Sequence, residues 1–174
     1  MQRSRACFSL LLLAAALCAA AQTDRPLSPF RLTQQGDSLS TLIIHTDSTH
    51  SEWPLPYPVY RFCTGDVDGD GSEDALVGVV KATRYHPEMG RRLFIFKNYH
   101  GLVRPLWLGS KLGGILEDFR FNNGLVTALE RTADGKYVVS DYRWRHFGLH
   151  FVQFHAKNIS RDQAIELFNK LTSL

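Results

Sequence analysis

Asp66-Val67-Asp68-Gly69-Asp70-Gly71-Ser72-Glu73-Asp74-Ala75-Leu76-Val77-Gly78 runs without a break from a string of acids into a string of apolar residues. Counting from Asp66, carboxylates stand at loop positions 1, 3, 5 and 9, with glycines at 4 and 6. Acids packed this closely repel one another unless a cation lies among them. A hard cation such as Ca²⁺ takes six to eight oxygens, and alternate positions of a sharply turned loop aim several of them inward. Asp66, Asp68 and Asp70 are expected to supply side-chain oxygens, Ser72 its carbonyl and Asp74 the ninth-position carboxylate, with Gly71 making the turn. Position 12 is Val77, so the bidentate Glu of an EF-hand is missing.

Short runs rich in Val, Ile, Phe and Tyr lie around this loop, separated by Gly, Asn, Asp or Pro, which is strand-and-turn punctuation. The expected strands are 39–45, 59–63, 75–82, 91–98, 102–108, 115–121, 125–131, 136–144 and 148–154. Asn123-Gly124 and Asp134-Gly135 favour tight hairpin turns. Residues 46–58 hold three prolines and read as a polyproline-like loop. At the C-terminus the period changes. Ala164, Ile165, Phe168 and Leu171 fall on one helical face, and Ser160 with Gln163 forms a capping box, which predicts a helix over 161–171.

The strands also repeat. Tyr60-Arg61-Phe62 returns as Phe119-Arg120-Phe121, Ala75–Lys81 as Gly124–Glu130, and Gly101-Leu102 as Gly148-Leu149. The fold expected is all-β: two propeller-blade-like antiparallel four-stranded units, 59–109 and 115–154, with a short C-terminal helix. Residues 22–58 are then an extended lead-in with one or two strands. Phe30-Arg31-Leu32 and the strand at 39–45 suggest the stub of a third unit.

The acidic loop followed by Ala75-Leu76-Val77-Gly78 resembles the calcium loop of FG-GAP/VCBS repeats, which occur in the β-propellers of integrin α-chains and in many bacterial exported proteins. The likeness covers residues 59–109 and, more faintly, 115–154. It implies a strand-to-strand calcium loop in which Asp74 replaces the missing Glu. The second unit has Asn122-Asn123-Gly124 at the corresponding place and cannot bind a cation in the same way.

The N-terminus reads as a cleavable secretory signal over residues 1–21. Arg3 and Arg5 form the positive region, Phe8 to Leu17 the apolar region, and Ala19-Ala20-Ala21 the small-residue site, which places cleavage before Gln22. An alternative is a lipoprotein signal with Cys18 acylated, against which stands the bulky Leu17 before it. The signal holds two of the 20 Lys and Arg and none of the 17 acids, so the net charge falls from +3 to +1 on cleavage. Nothing in that balance argues for nucleic acid. Cys7 and Cys18 lie in the signal, and Cys63 alone cannot form an internal disulfide; it reads as a small buried strand residue.

Other chemistry is absent at sequence level. No Gly-x-Ser-x-Gly elbow, phosphate loop or dinucleotide fingerprint is present. His146 and His150 are four apart on an expected strand-turn-strand, where they need not converge on zinc. Tyr142, Trp144 and His146 alternate with Arg143 and Arg145, which makes them the candidate contact stripe. The function expected is an exported, non-catalytic, calcium-stabilised binding domain of the bacterial cell envelope, recognising an envelope protein or glycan. A secreted hydrolase-like enzyme and a structural subunit of a larger β-assembly are the alternatives.

Overall fold

The computed structural model describes residues 28–84, 86–109 and 112–172. Residues 1–21, expected to be a signal, with the expected cleavage site before Gln22 and with Cys18, lie outside the described residues.

Among the described residues eleven strands and one helix follow in chain order: β1 (Phe30–Gln34), β2 (Ser40–His45), β3 (His50–Leu55), β4 (Val59–Gly65), β5 (Asp74–Val80), β6 (Arg91–Tyr99), β7 (Leu102–Leu108), β8 (Ile115–Asn122), β9 (Leu125–Arg131), β10 (Tyr137–Arg145), β11 (Gly148–Ile159) and α1 (Arg161–Thr172). They form three antiparallel meanders, β1-β2-β3, β4-β5-β6-β7 and β8-β9-β10-β11. The fold is mainly β, as expected.

Two corrections concern residues 22–58. The segment read as a loop at 46–58 contains β3, whose Leu55 is fully buried and whose Trp53 packs beside Phe96. Prolines hid this strand, but Pro54 sits on β3, an edge strand, where a missing N–H is tolerated. The stub of a third unit is a three-stranded sheet, so the described residues hold three sheets rather than two with a lead-in.

Three apolar cores separate these layers. Phe30, Leu42, Ile44 and Leu55 of the first sheet pack with Ala75, Val77, Val79, Phe94 and Phe96 of the second. The opposite face of the second sheet gives Leu76, Leu93, Ile95 and Trp107, which meet Phe119, Val126, Ala128 and Tyr142 of the third. The far face of the third sheet gives Leu129 and Val139, covered by Ala164 and Phe168 of α1. The middle sheet is therefore buried on both sides. That is why β5 reads Ala-Leu-Val-Gly-Val-Val without alternation: Ala75 to Val79 are buried in succession. Burying each such Leu, Ile, Val or Phe contributes roughly 1.5–3 kcal/mol.

Local chemistry fixes the ends. Ser160 and Gln163 cap α1 reciprocally: the Ser160 N–H donates to Gln163 Oε1 at 3.1 Å and the Gln163 N–H to Ser160 Oγ at 3.4 Å. Across the second and third sheets, Arg61 on β4 donates from Nε and Nη2 to the two carboxylate oxygens of Asp118 on β8, at 3.0 and 2.5 Å. This fork geometry specifies how the sheets meet as well as holding them.

Candidate metal centre

The loop between β4 and β5 is built by its own acids. Asp66 Oδ1 accepts from the N–H groups of Gly69 and Asp70, at 2.8 and 3.1 Å, and its Oδ2 accepts from that of Gly71 at 3.0 Å. Asp68 Oδ1 accepts from the Asp70 N–H and Asp70 Oδ1 from the Ser72 N–H. Gly69 and Gly71 have φ of 79° and 84°, a region glycine enters without steric cost. The folded loop brings one carboxylate oxygen each of Asp66, Asp68 and Asp74 within 4.8 Å of one another. No other group of three or more His, Cys, Asp and Glu among the described residues has that convergence.

Asp74 opens β5 and is fully buried, at 0 % exposure. Its Oδ2 accepts from the Val67 N–H at 2.9 Å, but its Oδ1 has no hydrogen-bond partner. Burial pushes its carboxyl up to about 7, with the Asp68 charge adding to the rise. An unpaired buried carboxylate is costly, and a coordinated cation removes that cost. The donor set, all hard oxygen, fits calcium or another hard divalent cation.

Asp70 is a different matter. Its Oδ2 and Asp68 Oδ2 both lie 2.5 Å from Lys97 Nζ, on the strand paired with β5. The ammonium lowers the Asp70 carboxyl, and the two carboxylates raise Lys97. Asp70 was expected among the ligands, yet it stands outside the convergent triad. Ser72 contributes its N–H to the turn. Lys97 was missed by sequence reading because it lies 23 residues beyond Asp74 and reaches the loop only through the β5–β6 register, which pairs Asp74 with Lys97. With Lys97 in place the loop carries one ammonium against four aspartates.

The aromatic stripe needs correction. Tyr142 is buried, its hydroxyl donating to Glu130 Oε2 at 2.8 Å and accepting from the Gly113 N–H at 3.0 Å. Trp144 packs against the same core. His146 lies in the β10–β11 turn with φ of 54°. The three do not form one open face, and His146 and His150 do not converge on a metal. Cys63 packs on the core between the second and third sheets, where burial pushes its thiol up to about 11, far from reactive.

A second polar network was not legible in sequence. Glu130, 2 % exposed, takes three donors: the Gly114 N–H at 2.7 Å, Ser140 Oγ at 2.6 Å and the Tyr142 hydroxyl. It pins the Gly113-Gly114 strap that leads into β8. The far face of the same sheet holds Asp141 between Thr127 Oγ1, Gln153 Nε2 and His155 Nε2, at 2.7, 2.9 and 2.7 Å.

The chain matches no protein-family model, no curated protein and no solved structure.

Proposed function

We propose that this protein is an exported, calcium-stabilised, non-catalytic binding domain of the FG-GAP/VCBS-repeat kind, working in the bacterial cell envelope with its two four-stranded sheets as blade-like units. One observation carries the calcium reading: Asp74, wholly buried beside Asp66 and Asp68, has a carboxylate oxygen with no partner. Calcium would be held by Asp66, Asp68 and Asp74, with loop carbonyls or water completing its shell, and would supply charge neutralisation rather than chemistry. The sequence supports export through its three-part N-terminus, and mass spectrometry of the exported protein should give the mass of residues 22–174. An intact N-terminus or an acylated Cys18 would contradict that part.

Calorimetry tests the metal. Extracellular calcium modules bind at about 10⁻⁴ to 10⁻³ M, and a ligand at about 100 times its dissociation constant adds roughly 2.7 kcal/mol of stability. For a domain of this size that is a rise in melting temperature of about 5–10 °C in tens of millimolar calcium over an EGTA-treated sample. Asp68→Ala should lose most of the rise, and magnesium should substitute poorly. No calcium-dependent shift in the wild type would reduce the loop to an acidic turn.

A further inference from the structure

Strand β11 ends its sheet, and among the described residues its outer edge is unpaired. It is twelve residues long and contains no proline. Successive residues of a strand point to opposite faces, yet His150 to Phe154 are exposed one after another, so both faces are bare. Phe151, Val152 and Phe154 are 49 %, 42 % and 47 % exposed, and Phe147 in the adjoining turn is 90 % exposed. An edge of this length and apolarity invites a further strand.

The two faces differ. Tyr142 pairs with Phe151, and on their side lies a groove of about 650 Å³ whose wall includes Leu112, Leu149, Phe151 and Phe154, with Glu130 and His150 also lining it. The Phe151 and Phe154 rings meet within it, tilted, with centroids 4.5 Å apart. Arg143 pairs with His150 on the other side, where Arg145 also falls by alternation. From Tyr142 to Arg161 the chain has no acid. Among the described residues none of Arg143, Arg145, Lys157 and Arg161 is in an ion pair. One face thus holds a largely apolar groove, and the other carries, beyond the buried Asp141, exposed Arg143 and Arg145, neither paired with an acid.

We propose that β11 is a docking edge for an extended peptide segment of a partner protein, in which apolar side chains alternate with Asp or Glu. Such a segment adds a strand to the sheet through its main chain, as edge-recognition domains do. Its apolar side chains enter the groove, and its acids lie over Arg143 and Arg145. A second copy of this chain is disfavoured, because its own β11 would bring like charges together. A bilayer would meet the cations but offers nothing to the unpaired backbone. Register shifts in the β10–β11 ladder at Tyr137/Val139, Val139/Ser140 and Asp141/Tyr142 bend the edge away from indiscriminate pairing.

The proposal rests on the reading of the protein as a binding domain but not on calcium. The test pans a phage-displayed random dodecapeptide library against the purified protein, then measures the best synthetic peptide by fluorescence anisotropy. Enriched peptides should alternate acidic and apolar residues, and raised salt should weaken them. Arg143 and Arg145 are exposed, so the double variant Arg143→Glu/Arg145→Glu should stay folded and bind about tenfold or more weakly. Phe154→Glu should also lose binding. The proposal is overturned by no enrichment, by peptides without acids, or by unchanged affinity in the double variant. Dimerisation through β11 that Phe154→Glu abolishes, or binding to phosphatidylglycerol vesicles in place of peptide, would overturn it too. An envelope protein captured equally by the wild type and both variants would overturn this edge and leave the binding-domain reading standing. Loss of the calcium shift alone would remove the calcium reading and leave both this edge and the binding-domain reading standing.

Discussion

The β4–β5 and β8–β9 hairpins open the two four-stranded sheets, and they solve the same problem differently. Their ends are neighbours: Thr64, Gly65, Asp66 and Glu73 of the first share a cleft of about 330 Å³ with Phe121, Asn122, Asn123 and Gly124 of the second. The second hairpin turns through Asn123 and Gly124 alone, with φ of 50° and 73°. Backbone geometry suffices there, and no charge is used. The first needs residues 66–73, organised by carboxylates that accept from five N–H groups of the loop itself. A turn alone does not require four aspartates, one of them buried with a carboxylate oxygen left unpartnered. The excess acid is what a cation site requires and a hairpin does not.

The contrast extends to the buried carboxylates. Asp74, in the second sheet, has one donor and an orphan oxygen, whereas Glu130, in the third, has three donors. The largest expected effect follows from that difference. Glu130→Ala strands the Gly114 N–H and the Ser140 and Tyr142 hydroxyls in the core and leaves a cavity. The cost should be about 3–5 kcal/mol by chemical denaturation. Asp74→Asn, measured in EGTA, should cost far less, or stabilise, since it removes an uncompensated charge. Equal losses at the two sites would mean that Asp74 is as well satisfied as Glu130 and needs no cation.

The pH dependence should separate the two sheets next. Asp74 has its folded value raised to about 7 from an ordinary 3.8, mainly by burial. The calcium-free folded state therefore holds this proton more tightly than the unfolded chain does. Stability from this group is greatest at low pH and falls as pH rises from about 4 to about 7, by about 2–4 kcal/mol. Asp141 has the opposite sign. Burial raises it, but the hydrogen bonds from Gln153, Thr127 and His155 outweigh burial and leave it lowered. Its contribution is present above the ordinary carboxylate range and is lost as pH falls through its lowered folded value. Denaturant midpoints across pH in EGTA should thus fall toward neutrality in the wild type and flatten in Asp74→Asn. An unchanged profile in that variant would place the titration elsewhere.

What sequence could and could not reveal divides along the same physical line. The strands of the second and third sheets were legible because Gly, Asn, Asp and Pro separate them, Asn123-Gly124 and Asp134-Gly135 most sharply. The capping box at Ser160 and Gln163 made α1 legible. β3 was not, because Pro54 and Pro56 argue against a strand unless the strand lies at an edge, and edge position is a tertiary fact. At the metal centre, the acids and their spacing were legible, since local sequence sets them. That Asp70 is drawn to Lys97, and that Asp74 is fully buried, depend on pairing between strands. Tyr142 failed as a contact residue for a similar reason. Alternation told its face, but that face packs against the second sheet.

The smallest effect sharpens the comparison most directly, because it uses one substitution at matched places. Gly71 and Gly124 have φ of 84° and 73°, and a Cβ at either would meet nothing within 4 Å. Any cost of alanine is therefore the backbone cost of the left-handed region, about 1 kcal/mol. In the tight turn that cost cannot be escaped, since relaxing Gly124 would break the pairing of Asn122 with Leu125. Gly124→Ala should lose about 1 kcal/mol in calcium and in EGTA alike. The exposed acidic loop can relax when no cation holds it, giving up only the Gly71 N–H bond to Asp66. Gly71→Ala should then be nearly silent in EGTA and lose about 1 kcal/mol in saturating calcium. The same difference appears as roughly fivefold weaker calcium affinity, readable by isothermal titration. If the two variants respond identically in both conditions, the acidic loop is only another turn.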